Sequence, residues 1–330
     1  MSTVASKMKP MNQTLIETPT ARALEQERAA QRDASNRAEL VERIARAVPE
    51  DGLYTPIEGL RLARASQNEE PYHGVLEPTF CITAQGSKEI FLGEHRYFYN
   101  PYSYLLSTAE LPIVSRVLGV SQEEPYLGLR IILDPALVAS VMVEMGQLPP
   151  RSQPPVRAIE VSTLSAGLLD ATLRLVRLLD SPEEARLLLP LISREIVYRL
   201  LCGEQGHRLR QMTVLGGHTH RISQAVKKIC SSFTQPLRVE ELAREVGMSV
   251  SGFHHHFKEV TAMSPLQFQK QLRLQEAQRL MIGEVMDATT AGSRVGYEDV
   301  SHFNRDYKRH FGAPPMRDVE RLRLVAGAAQ

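Results

Sequence analysis

Cysteine is scarce and scattered. The three thiols, Cys81, Cys202 and Cys230, lie far apart in 330 residues and form no Cys-x-x-Cys pair. A disulfide framework is not expected, and a reducing cytosol fits. Long apolar runs are missing as well. The leucine-rich stretch 187–192 is far too short to span a bilayer and contains Pro190, so no membrane partner is expected. Lysines near the start are followed by no apolar stretch, which leaves a signal peptide unsupported and makes a cytoplasmic location the expectation. No P-loop, Gly-x-Ser-x-Gly or dinucleotide fingerprint occurs. A large charge of one sign is also missing, since the net charge is +1. The balance is uneven along the chain: from His218 onward sixteen Lys+Arg face twelve Asp+Glu, a surplus of +4, against −3 for the rest. A modestly basic end on a slightly acidic body suits a nucleic-acid reader joined to something else.

The length, with 43% hydrophobic residues, is enough for two domains with cores of their own. Residues 1–35 read as a polar, flexible tail. Ser35 or Asn36 then caps a helix carrying Leu40, Val41, Ile44 and Val48, ended by Pro49. From about 50 to 133, aromatic and β-branched residues alternate with turn signals such as Asp51-Gly52, His73-Gly74 and Asn100-Pro101. This reads as an antiparallel barrel or sandwich, with Glu89–Phe98 the clearest hairpin, turning at Gly93-Glu94. Asp134-Pro135 opens a helix, and the Pro-rich segment Leu148–Pro155 reads as a linker. Two helices follow, Ser162–Leu179 and one starting at Ser181-Pro182 and running to about Leu201. Their leucine stripes serve either packing within one subunit or a homodimer interface through 162–201, since two helices after a barrel have little of their own to bury against. Gly216-Gly217 reads as a hinge.

The last hundred or so residues hold two helix-turn-helix units. In the first, Val239–Val260, Gly247 supplies a left-handed turn, Ser249 caps the next helix, and small Ala243 lets the two helices cross closely. Phe253, Phe257 and Val260 follow i, i+4, i+7 and form the buried face. The second unit, Ala288–Phe311, repeats the plan, with Val295-Gly296-Tyr297 at the turn and Phe303 and Tyr307 echoing Phe253 and Phe257. Ser264-Pro265 opens the connecting helix. At about eighteen residues it spans roughly 27 Å, close to one turn of duplex DNA.

These residues resemble the AraC/XylS family of bacterial transcription regulators over about 219–324. The run Val295–Pro315 follows that family's signature almost position by position, and Met248-Ser249, Phe257-Lys258 and Met263-Ser264-Pro265 are similar too. Residues 50–215 resemble an N-terminal domain of one branch of the family, with the run Leu201–Gln211 carrying the likeness. The resemblance implies an α+β chain organised as follows: a flexible tail, 1–35; a β-barrel (cupin-like) sensor domain with a leading helix, 36–155; a helical dimerisation segment, 156–217; and an all-α double helix-turn-helix domain, 218–330. It implies a cytoplasmic regulator that binds operator or promoter DNA as a homodimer. A small-molecule effector would be held in the first domain, and RNA polymerase would be a partner if the protein is an activator. In the alternative reading the first domain is a ligand-independent dimerisation or protein-partner module.

Positions on the second helix of each unit that do not face inward are the candidate base contacts: Ser251, His254 and His255 in the first, Val300, Ser301, Asn304 and Arg305 in the second. By resemblance they align with the family's base-contacting positions. Arg305 suits guanine and Asn304 adenine, with a salt bridge or phosphate contact as the alternative for Arg305. Lys258, Lys270, Arg273, Lys308 and Arg309 are candidate phosphate contacts or solvated charges. Where the family usually carries an arginine, His255 stands.

No cofactor, metal or catalytic residue is expected. Adjacent residues of a helix point about 100° apart, while helical chelation needs i, i+4, so one histidine of His254-His255-His256 at most is expected to join any given site. His218-Thr-His220 has no companion cluster. A cupin-type enzyme needs closely spaced histidines, and His73 and His95 stand alone. Candidates for an effector pocket are Tyr54, Phe80, Cys81, Ile82, Phe91, Tyr97, Tyr99 and Tyr104, each of which also suits a plain core position.

Overall fold

The computed structural model describes residues 19–67, 71–147, 156–213 and 218–327. The expected linker Leu148–Pro155 and the Gly216-Gly217 hinge lie outside the described residues, as does the tail up to residue 18. From residue 19 the tail gives way to helix α1 (Pro19–Ala47), which starts well before the expected cap at Ser35 or Asn36. Its early turns are rich in Ala, Glu, Gln and Arg, strong helix formers that need no apolar stripe to propagate. Only its last turns present a buried stripe, Leu40 and Ile44, continued past its end by Val48.

Nine strands follow: β1 (Gly52–Ile57), β2 (Leu60–Ala65), β3 (Tyr72–Leu76), β4 (Thr79–Gln85), β5 (Ser87–Leu92), β6 (His95–Tyr99), β7 (Ser103–Ser107), β8 (Leu111–Leu118) and β9 (Tyr126–Ile132). A tenth, β10 (Ile159–Thr163), pairs antiparallel with β7, setting Ile159 opposite Ser107. It was not foreseen, because five residues directly after a Pro-rich run offer little periodicity. The barrel expectation is corrected to two sheets, ordered β1-β2-β9-β4-β7-β10 and β3-β8-β5-β6. The β5–β6 hairpin turns at Gly93, with φ +59°, as its Gly-Glu pair predicts.

Consecutive residues of a strand point to opposite faces, and β4 shows what this does. Phe80, Ile82 and Ala84 join Leu62, Leu106 and Leu129 on the outer face of the six-stranded sheet. Cys81 points inward, towards Ile90, Leu92, Leu111 and Ile113 of the four-stranded sheet. The outer face is covered by α1 together with α2 (Pro135–Glu144), α3 (Ala166–Arg177), α4 (Pro182–Cys202) and α5 (Gly206–Met212). The leucine stripe of α3 is spent here: Leu168, Ala171 and Leu175 are buried in this core. The two helices thus do have something of their own subunit to bury against. Part of α4 stays uncovered, with Leu187 74%, Leu191 61% and Tyr198 49% exposed. Among the described residues, no helix is long and apolar enough to cross a membrane.

The C-terminal part is all helix: α6 (His218–Ser232), α7 (Val239–Glu245), α8 (Val250–Thr261), α9 (Pro265–Gly283), α10 (Ala288–Arg294), α11 (Val300–Phe311) and α12 (Pro315–Gly327). It rests on the four-stranded sheet. Gln271 and Gln275, one turn apart on α9, donate to the carbonyls of Pro112 (3.2 Å) and Ile113 (3.1 Å) on β8. The amide of Ala158 donates to the carbonyl of Val260 at the end of α8, at 3.1 Å.

Candidate nucleic-acid interface

Each helix-turn-helix unit closes on a left-handed glycine. Gly247 (φ +67°) separates α7 from α8, and Gly296 (φ +94°) separates α10 from α11. Ser249 then caps α8 by accepting from the amide of Gly252 at 3.2 Å, and Asp299 caps α11 by accepting from that of His302 at 2.8 Å. A side-chain cap satisfies an amide that the first turn leaves free. The crossings are close where small residues allow it. Ala243 is fully buried in the first unit, and in the second a Cβ on Gly292 would stand 2.9 Å from Cγ of Phe303.

Phe253, Phe257, Phe303 and Tyr307 are all 0% exposed. Helix α9 serves both cores. Phe268 and Leu272 pack with the first unit, and Leu274, Ala277, Leu280 and Met281 with the second. Its N-terminus carries a reciprocal capping box between Ser264 and Gln267. Its nineteen residues span roughly 28 Å. In the second core, the Tyr307 hydroxyl donates to Asp318 at 2.8 Å, which pins α12 to α11.

Against this frame the candidate base contacts fall on the outward faces. Ser251, His254 and His255 are exposed on α8, and Val300, Ser301, Asn304 and Arg305 on α11. Asn304, Arg305, Lys308 and Arg309 line a concave surface of about 720 Å³, shared with Pro314, Pro315 and Met316 at the start of α12.

The candidate phosphate contacts divide. Lys258 and Lys308 are exposed. Lys270 bridges α9 to α11 through Asp306 at 2.9 Å, and Arg309 pairs with the same carboxylate. Arg273 is spent inside the protein. Its guanidinium donates to the carbonyls of Phe233 (2.7 Å), Thr234 (3.1 Å), Gln235 (2.9 Å) and Gly296 (2.8 Å). It ties the loop after α6 to the turn of the second unit. Gly296 is needed there for space as well as for its φ, since a Cβ would lie 2.0 Å from the Thr234 carbonyl oxygen.

The effector-pocket candidates do not converge. Phe80, Ile82 and Tyr104 face the helices on the outside of the six-stranded sheet, and Tyr54 packs beside them. Cys81, Tyr97 and Tyr99 lie between the sheets. Phe91 is on the far side of the four-stranded sheet beneath Arg116, 5.6 Å from its guanidinium carbon. Alternation along β4 makes this unavoidable, because Phe80, Cys81 and Ile82 cannot share a face. Residues not picked out from the sequence lie between the sheets with Cys81. Tyr126 packs against Val117, and Arg130 stands directly across the ladder from Cys81. Burial pushes the phenol of Tyr126 up to about 12 and raises the Cys81 thiol, so neither ionises near neutral pH. The signal was present in the sequence, since 126, 128 and 130 share a face at strand spacing.

The histidine run also departs from expectation. Donor atoms of His255, His256 and Glu259 all lie within 4.8 Å of one another. Angles among the three histidines leave out Glu259, one turn further on. At 100° per residue, Glu259 sits about 40° from His255 and about 60° from His256, between the two.

Two helix-turn-helix units on one shared spacer helix, resting on a two-sheet domain, define the class: a two-domain protein with a paired helix-turn-helix reader. The comparisons place it further. Residues 56–208 match the AraC-type transcriptional regulator N-terminus and residues 242–321 a helix-turn-helix domain, and together these account for well over half of the chain. The chain belongs to the AraC-type regulators. It is similar to the HTH-type transcriptional regulator GbdR of Pseudomonas aeruginosa, 28% identical over 134 residues, 40% of this chain and 36% of that protein. The regulator ArgR of Pseudomonas aeruginosa is 27% identical over 154 residues, 46% and 47% respectively. The matched stretches thus span less than half the length of these curated relatives. A structure of ToxT from Vibrio cholerae, bound to (E)-4-(8-methylnaphthalen-1-yl)but-3-enoic acid, shares the fold at TM-score 0.53 and 12% identity, over 80% of this chain and 98% of that one.

Proposed function

We propose that this chain is a sequence-specific DNA-binding transcription regulator. One observation carries the reading: both unit cores are sealed by buried aromatics while Ser251, His254, His255, Val300, Ser301, Asn304 and Arg305 all face out from helices fixed on a single spacer. In this reading α8 and α11 enter successive major grooves on one side of a duplex. Arg305 forks to guanine and Asn304 pairs with adenine, each good pair discriminating by about 1–3 kcal/mol. Lys258, Lys270, Lys308 and Arg309 meet phosphates, while Arg273 holds the units together. The protein works in the cytosol as a homodimer through the exposed face of α4, without a catalytic role, and contacts RNA polymerase where it activates. Selection of bound duplexes from a random pool, followed by gel-shift titration, tests it. Recovery of no preferred sequence would overturn the reading.

Control by a small effector between the sheets extends this proposal, supported by the polar and aromatic side chains packed there and by the ligand in the ToxT structure named above. The scattering of the pocket candidates over three faces favours a second reading, in which the first domain is a ligand-independent module. Thermal denaturation against a metabolite panel separates the two. An effector at a hundred times its Kd stabilises by about 2.7 kcal/mol, and no shift with any compound favours the second reading.

A further inference from the structure

We propose that His255, His256 and Glu259, on the outward face of the first unit's reading helix, form a site for a divalent transition metal such as Zn²⁺. Among the described residues this is the one group of three such side chains whose donor atoms converge. Oε2 of Glu259 lies 3.3 Å from Nε2 of His255 and 3.0 Å from Nδ1 of His256. Four donors at about 2.0–2.1 Å around tetrahedral zinc stand about 3.3 Å from one another, so both Glu–His separations already have close to the spacing that an ion would impose, with all three donors within 4.8 Å. Two imidazoles and one carboxylate suit zinc, nickel or copper rather than magnesium or calcium. Three protein donors leave one position open.

A fourth imidazole stands beside the site. The ring of His218, on α6, stacks on that of His256 at 4.1 Å between centroids. His256 is also the least exposed of the three, at 18%, against 66% for His255 and 37% for Glu259. One wall of the site is thus protein and the other is water.

The functional consequence rests on the DNA-binding reading above, although the site itself does not. His255 is a candidate base contact. An ion that clamps its ring to Glu259 removes it from a base edge and adds positive charge to the groove-facing surface. Metal occupancy would therefore change what the first unit reads.

The test is titration of Zn²⁺ into metal-free, full-length protein by calorimetry, with Co²⁺ as a spectroscopic stand-in. One ion per chain is expected at micromolar affinity, with the intense visible bands of a four-coordinate cobalt site. Glu259→Gln and His256→Asn should each weaken binding at least tenfold, while His220→Asn leaves it unchanged. Circular dichroism confirms that the variants are folded. No binding by the wild type, or undiminished binding by both site variants, overturns the proposal. On a duplex selected by the protein, saturating Zn²⁺ should change affinity at least threefold for the wild type and leave Glu259→Gln unmoved. An ion held at the site without that change overturns the regulatory half. Failure to select any duplex in the absence of metal speaks instead to the DNA reading.

Discussion

The ring of His73 on β3 meets the ring of His310 on α11 edge to face, with centroids 5.1 Å apart, and Phe311 closes the same contact at 4.5 Å. The sheet domain thus touches α11, the second helix of the second unit, directly. Nδ1 of His73 and Nε2 of His310 are both buried without a hydrogen-bond partner among the described residues. Burial lowers both pKa values. That of His73 falls from 6.5 to about 3, with the neighbouring His310 lowering it further and Asp318 opposing.

Acid should therefore weaken this contact. A histidine whose pKa is depressed by folding contributes its full stability above the unfolded value, near 6.5. It loses that contribution as pH falls from there towards the folded value, near 3. The loss is up to about 1.4 kcal/mol per pH unit within that window. Thermal denaturation from pH 7.5 down to pH 5 measures it. His73→Phe keeps a ring and removes the proton, so its profile should be flatter than that of the wild type. A variant profile parallel to the wild type would show that the contact does not titrate.

Arg305→Ala should lower operator affinity at least tenfold, about 1.4 kcal/mol or more, with the fold intact. Arg305 is exposed on α11 and makes no ion pair among the described residues, so truncation removes a contact to DNA and little else. An unchanged gel-shift titration would remove it from the reading surface.

Arg273 and Lys308 should separate cleanly. Arg273→Ala leaves four carbonyl contacts unmade and should cost at least about 3 kcal/mol in urea unfolding, since even two hydrogen bonds to a charged group, at about 1.5 kcal/mol each, reach that. The salt dependence of DNA binding by the remaining folded protein should stay the same. Lys308→Ala should do the reverse, with stability held and the salt slope reduced by about 1. A reduced slope for Arg273→Ala would return that residue to the phosphate contacts.

The full chain should sediment as a dimer at micromolar concentration. Leu187→Glu combined with Leu191→Glu should shift it to monomer, because both leucines are exposed on α4 with no cover among the described residues. Residues 218–330 alone should bind DNA weakly as a monomer. A wild-type monomer, or a variant that still dimerises, would rule out this face.

Much of the fold of the helical half was legible because its information is local. Phe253, Phe257, Phe303 and Tyr307 recur at helical spacing, and Gly247 and Gly296 sit where the backbone must turn left. The sheet domain was legible as an antiparallel barrel or sandwich, though the choice between the two was not, because closure depends on which strands pair. The early part of α1 went unseen, since an exposed helix carries no apolar stripe. The role of Arg273 was hidden for another reason. A basic residue on a spacer looks like a phosphate clamp until the carbonyls of residues far along the chain converge on it. The convergence of His255 and His256 on Glu259 was within reach, but it needed the window to extend three residues past the histidines.

The sharing of α9 between two cores, locked by Arg273 across the Gly296 turn, leaves the protein no joint between its two readers. On the DNA-binding proposal, such a molecule would measure length as strictly as it reads letters. On its operator, a changed base would cost one contact, whereas a single inserted base pair between the two recognition elements would carry one of them off the face of the helix that the chain can reach.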